Sequence, residues 1–195
     1  MAGLVEKKGK VYAIEPTNYA FKKLTSNLAM NKDLSKKVQA DQVVLINNGS
    51  KGKIKDLYSS WPLSVKAKGD QRHSVHQGLL RSISGAKERT LDDYVSMNNI
   101  VSLDLIKLDV DGNELEVLGG AKDTLIKLKP TIIMELAPEQ YDNQDDFLKV
   151  IDVLVSIGYR YYSLDEAFQY PNEPYALIEK IPTNGSINVI ARAVK

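Results

Sequence analysis

The segment Leu105 to Leu118, LIKLDVDGNELEVL, constrains this chain more than any other. An apolar run stops abruptly at Asp109, Asp111 and Glu114. Apolar residues then return at Leu115, Leu118, Ala121, Leu125 and Leu128, the three- and four-residue spacing of one helix face. A buried strand, an acidic turn and a helix over 113–128 make half of a βαβ unit. In open α/β sheets ligands bind beyond the carboxyl ends of the strands, so acids delivered there are candidates for chemistry. A structural role competes for two of them: Asp111 as the helix N-cap and Glu114 as its N3 partner would come close to a capping box. Asp109 lies too early to cap and takes a position where a strand would carry an apolar residue.

The rest of the chain alternates strand and helix. Lys10 to Glu15 reads as a strand ended by Pro16, and a helix follows over 18–30 with Tyr19, Phe21, Leu24, Leu28 and Ala29 on its apolar face. Gln42 to Asn47 reads as a second buried strand, and 49–58 as a turn and an exposed strand. Periodicity then loosens, so 52–87 is expected to be a loop or insert region, with Trp61 and Val65 as anchors. Thr90 is placed to cap a short helix over 91–97. The strand at 104–109 and helix 113–128 come next, then a strand Thr131 to Leu136 closed by Pro138. Asn143 to Ile157 is helical on its Phe147, Val150, Ile151 and Leu154 face, with Gly158 as a left-handed stop. Tyr159 to Leu164 and Ser186 to Val194 are the last strands. The expected fold is α/β: a doubly wound, mostly parallel sheet with helices on both faces, in a single domain over 1–195.

Composition narrows function mainly by exclusion. The 26 Lys and Arg nearly cancel 25 Asp and Glu, leaving a net charge of +1 and no electrostatic footprint for nucleic acid. No apolar run reaches the ~18 residues that a membrane span needs, and no apolar leader opens the chain. Cysteine is absent, which removes disulfides, thiolate metal sites and cysteine nucleophiles and suits a reducing cytoplasm. The ten tyrosines are expected in core or rim packing.

Asp-Val-Asp-Gly-Asn-Glu after an apolar strand, then Glu-Val-Leu-Gly-Gly-Ala, then KPTIIMEL at 129–136, resemble the FkbM-type family of S-adenosylmethionine-dependent methyltransferases. The segments VYAIEPTNYAFKKLTSNLAMN at 11–31, the Asn47-Asn48 pair and ERTLDDYV at 88–95 fit as well, and 52–87 fits least. The resemblance implies a Rossmann-like methyltransferase sheet, S-adenosylmethionine as cofactor, and transfer of its methyl group to a hydroxyl of a sugar, lipid-linked glycan or polyketide-like small molecule. It places Glu15, at the end of the first strand, on the ribose of the cofactor, as acids do in dinucleotide-binding sheets. The same fingerprint asks for a glycine-rich turn about 20 residues upstream of that acid. Only 14 residues precede Glu15. The expectation is therefore a sheet lacking its first strand and glycine-rich loop, in a chain that is a fragment of a longer protein.

Within that reading Asp109 is the first choice for the carboxylate that deprotonates the acceptor hydroxyl, and also a cofactor-side acid. Glu135, at the end of the neighbouring strand, is the second choice. Asn47 and Asn48 are candidates for an adenine edge, with a turn at Gly49 as the competing use. Asp111 and Glu114 serve substrate or structure. His73 and His76 are weaker candidates for a base, and the acids 109, 111 and 114 carry only a slight case for a divalent cation, so no metal is expected. Gly119 and Gly120 read as a close packing contact. Two rivals stay open: a truncated, non-catalytic methyltransferase-like fold, and another nucleotide-dependent Rossmann-like enzyme.

Overall fold

The structure, a computed structural model, describes residues 1–54, 56–59, 78–141 and 143–194. Its contacts cluster into two compact units, one of Met1–Leu45 with Ser50–Arg89, the other of Ile46–Gly49 with Thr90–Lys195.

In the first unit β1 (Val11–Ile14) leads into α1 (Asn18–Met30), a short helix α2 (Lys32–Ser35) and β2 (Val38–Asp41), which pairs parallel with β1. β3 (Val43–Leu45) pairs parallel with β6 (Lys87–Arg89), while β4 (Asp56–Ser59) and β5 (Leu79–Ser82) form an antiparallel ribbon. α1 starts and stops where the sequence predicts, because Thr17 caps it through Oγ1 to Ala20 N and Asn31 closes it. Its apolar stripe is not core, however, since no residue of α1 is buried. Of the predicted strand Gln42 to Asn47 only β3 forms, and β2 is an additional strand ahead of Gln42, whose amide is turned aside to Pro16 O, Asn18 Oδ1 and Ser84 O. The anchors Trp61 and Val65 and the pair His73 and His76 lie outside the described residues.

The second unit holds a four-stranded sheet in the order β7-β8-β10-β9, from β7 (Leu105–Leu108), β8 (Thr131–Leu136), β9 (Tyr159–Ser163) and β10 (Ile187–Ala193). β7, β8 and β9 run parallel and β10 is reversed between its neighbours. Burial along β8 alternates strictly, with Ile132, Met134 and Leu136 buried and Thr131, Ile133 and Glu135 half-exposed. On the buried face α6 (Gln144–Ser156) lays down the predicted Phe147, Val150, Ile151 and Leu154. Two tyrosines from β9 complete this core. The Tyr161 hydroxyl donates to the α6 carbonyls of Val150 and Ile151, and the Tyr159 hydroxyl to the carbonyls of Leu125 and Pro130. Gly158, at φ +89°, ends α6 as expected.

The helix predicted over 113–128 is two helices, α4 (Glu114–Gly119) and α5 (Lys122–Leu128). Two causes act at the break. A Cβ on Gly120 would stand 2.3 Å from the carbonyl oxygen of Ile46, so the chain passes too close there for any other residue. Asp92, in the first turn of α3 (Leu91–Met97), accepts from the backbone N–H groups of Asp123 and Thr124 at 3.1 and 2.7 Å and caps α5 from outside. α7 (Pro174–Ile178), capped by Glu173, precedes β10 and was not foreseen.

Candidate active site

β7 ends at Leu108, and alternation beyond it sends Asp109 to the same face as Lys107. The two meet there: Lys107 Nζ donates to Asp109 Oδ2 at 2.5 Å, with both side chains about half exposed at 53% and 52%. The register pairs Lys107 with Ile133 and Leu108 with Met134, and Asp109 and Glu135 are the next residues of the two strands at that carboxyl edge. Glu135 is half-buried, lies opposite Asn188 of β10, and accepts a hydrogen bond from the Ser186 hydroxyl. The two acids first singled out for proton transfer thus stand at the carboxyl ends of neighbouring strands, Asp109 bonded to Lys107 and Glu135 to Ser186.

The turn after Asp109 differs from the predicted capping box. Asp111 and Gly112 both adopt left-handed conformations, φ +48° and +90°, and α4 begins only at Glu114, so Asp111 is not its N-cap. Gly112 is obligatory twice over, because a Cβ there would also stand 2.7 Å from the Gln140 carbonyl oxygen. Gln140 belongs to a 3₁₀ turn, Pro138–Gln140, that follows β8.

Glu114, read as a capping partner or a substrate or structural acid, is 3% exposed. The Tyr141 hydroxyl donates to its Oε2, and the Tyr141 ring meets Phe147 of the core edge-on at 5.4 Å. Burial pushes the Glu114 carboxyl above its ordinary range, while the bond from Tyr141 and backbone bonds at Glu114, Gly112 and Val110 pull it back. Desolvation and the neighbouring carboxylate raise the Tyr141 phenol well beyond its usual value. Glu114 is therefore a post that fixes the acidic turn to the core. Sequence reasoning missed Tyr141 because its partner lies 27 positions away, and the only local hint was the aromatic after Pro138.

Past β3, Asn47 is heavily committed. Its backbone N–H and Nδ2 donate to the two carboxylate oxygens of Glu116 at 3.2 and 3.0 Å, and its Oδ1 accepts from Gly49 N at 2.7 Å. The turn at Gly49 is thus formed, and Gly119 comes so near that a Cβ on it would stand 3.0 Å from Asn47 Cβ. That is the close contact expected of the glycine pair. Asn48 is exposed beside it. Glu116, unremarked in the sequence, is what orients this loop.

In the first unit, Glu15 follows β1 and is half-exposed. Its Oε1 accepts from Thr17 N at 2.8 Å and Thr17 Oγ1 at 2.6 Å, steadying the residue that caps α1. Among the described residues no group of three His, Asp or Glu is arranged to hold a metal ion.

The sequence profile of the methyltransferase FkbM domain matches residues 2–161. The chain belongs to this family. It is 31% identical over 98 residues to the 2-O-methyltransferase NoeI of Sinorhizobium fredii, a match covering 49% of this chain and 40% of that protein. The fold is similar to that of the crystal structure of the methyltransferase FkbM from Methylobacillus flagellatus, at a TM-score of 0.53 and 14% identity over 93% of this chain and 36% of that one. The chain thus spans well under half the length of each relative.

Proposed function

We propose that this FkbM-family chain takes part in S-adenosylmethionine-dependent methylation of a hydroxyl on a sugar, glycan or polyketide-like small molecule. What supports the reading is the position of Asp109 and Glu135, within a family-matched segment, at the carboxyl ends of the parallel strands β7 and β8. The relative NoeI is a 2-O-methyltransferase, which supports oxygen as the acceptor atom.

Glu15 suits a ribose: a half-exposed carboxylate at a strand end, anchored through Oε1 to a helix cap. Asn48 is the amide offered to an adenine edge, with Asn47 holding its loop through Glu116. S-adenosylmethionine, when bound, supplies a methyl group on a sulfonium. Asp109 accepts the proton of the acceptor hydroxyl, which requires it to leave Lys107, and Glu135 steers the hydroxyl with the help of Ser186. Methyl transfer depends on alignment, so the rigid turn between Asp109 and Glu114 matters as much as the acids themselves. Among the described residues the four-stranded sheet is open along β7. We take that edge as the place where the first strand and glycine-rich loop of a doubly wound Rossmann-like sheet add, supplied by a longer chain.

A second reading has its own support. The Lys107–Asp109 ion pair and the open β7 edge also suit a truncated, non-catalytic methyltransferase-like fold. Radiolabelled methyl transfer to mono- and oligosaccharides separates the two, run with the 195-residue chain and with a chain extended upstream of Met1 by a strand and glycine-rich turn. Transfer by the extended chain and weak transfer by the short one is the expected result. Failure of both across sugar, glycan and polyketide-like acceptors would overturn the catalytic reading.

A further inference from the structure

In the first unit two cations meet on one aromatic ring. The Tyr19 ring, in the first turn of α1, has Lys23 Nζ 4.2 Å and Arg81 Cζ 4.3 Å from its centroid. A cation on a tyrosine is ordinary; two on one ring repel each other. Nothing nearby on the same elements offsets them. α1 reads NYAFKKLTSNLAM, whose charges are Lys22 and Lys23 alone. In the β4–β5 ribbon Leu57 lies opposite Arg81 and Asp56 opposite Ser82, so alternation turns Asp56 to the other face from Arg81. Among the described residues the ion pairs include neither Lys23 nor Arg81.

Arg81 adds a second and independent sign. Its Nε is buried and, among the described residues, has no hydrogen-bond partner. Buried donors are nearly always satisfied, and a charged one left open is expensive, so an orphaned guanidinium N–H points to an acceptor that arrives from outside. The chemistry of that acceptor follows from the donors. A guanidinium fork presents parallel N–H groups that match a phosphate, and a lysine beside it adds a point charge for another oxygen.

We propose that Tyr19, Lys23 and Arg81 form an oxyanion subsite for a phosphate group, in which Arg81 and Lys23 donate to the phosphate oxygens and the Tyr19 ring holds both cations in place. Binding relieves the repulsion and satisfies Nε in one event. The subsite rests on the first unit alone and stands or falls separately from methyl transfer.

The test is an amide NMR titration of the 195-residue chain with inorganic phosphate at ionic strength held constant with chloride, repeated with glucose 1-phosphate and with glucose. Saturable shifts confined to Tyr19–Lys23 and Leu79–Ser82 are expected with both phosphates and not with glucose. Tighter binding of the ester assigns the site to a phosphorylated small molecule, and equal binding assigns it to the free ion. Arg81→Gln and Lys23→Gln should each weaken binding by about tenfold, since each removes a charge-assisted donor. Lys22→Gln, the same charge change on the next residue of α1, should change it less than about twofold. Lys23 is exposed, so its variant keeps the test intact even where Arg81→Gln fails to fold. Absence of saturable shifts in the wild-type chain, or equal weakening by Lys22→Gln, would overturn the subsite.

Discussion

Five residues apart at the end of β7, Asp109 and Glu114 carry the same functional group into opposite surroundings. Asp109 is about half exposed and paired with a lysine on its own strand; Glu114 is buried and bonded to a tyrosine from beyond the next strand. In water an ion pair holds loosely, so Asp109 can exchange Lys107 for another partner. In the interior the same exchange would strand a polar group, so Glu114 is fixed. On the proposed reading one short acidic motif divides into a reactive end and a structural end, with environment making the division.

The largest effect expected from this comparison is on turnover. In a chain extended upstream as above, Asp109→Asn should lower the methyl-transfer rate by about 10²–10⁴-fold, because an amide cannot take the hydroxyl proton. Asp111→Asn should keep most of the rate. A wild-type rate in Asp109→Asn would move the base to Glu135 or remove general-base catalysis altogether.

The next effect is on stability. Glu114→Ala leaves the Tyr141 hydroxyl without its acceptor and should cost about 3 kcal/mol in urea unfolding. The amide of Glu114→Gln still accepts from Tyr141 and should cost less, and the gap between it and the wild type depends on pH. Since burial raises the Glu114 carboxyl in the folded state, its contribution is complete below the unfolded value and is lost as pH rises through the raised one. The wild-type chain should therefore gain on Glu114→Gln as acid is added. A gap that is flat with pH would show that the carboxyl titrates alike in both states.

Gly112→Ala should follow at about 1–3 kcal/mol, from a left-handed backbone and a Cβ driven against the Gln140 carbonyl. Loss of methyl transfer without loss of stability would mean that the turn yields and only the alignment of Asp109 suffers.

How much of this was legible in the sequence follows the range of the interactions. α1, α3 and β8 begin and end where local signals put them, because Thr17, Thr90 and the prolines act within a few residues. The buried face of α6 was readable from periodicity alone. The division of α4 from α5 was not, since it depends on Ile46 and Asp92, both far away in sequence. At the candidate site the strand-end position of Asp109 and Glu135 could be read, whereas the burial of Glu114 needed Tyr141 and the commitment of Asn47 needed Glu116. Long-range partners decide which of several similar residues is structural, and a pattern of spacing cannot contain them.

The smallest effect closes the comparison from its exposed end. Lys107→Gln removes an ion pair in which both side chains are about half in water, and such pairs contribute roughly 0–1 kcal/mol, so urea unfolding should move little. Turnover is the sharper readout. If Asp109 is the base, the lysine competes with the acceptor hydroxyl for the same carboxylate, and its removal should leave the rate at or above the wild-type level. If the pair instead holds the β7 end together, as in a non-catalytic fold, Lys107→Gln should destabilise the chain by an amount closer to that of Glu114→Ala. A loss above about 2 kcal/mol, beyond what exposed pairs contribute, would place Asp109 on the structural side with Glu114 and leave Glu135 as the acid at that edge.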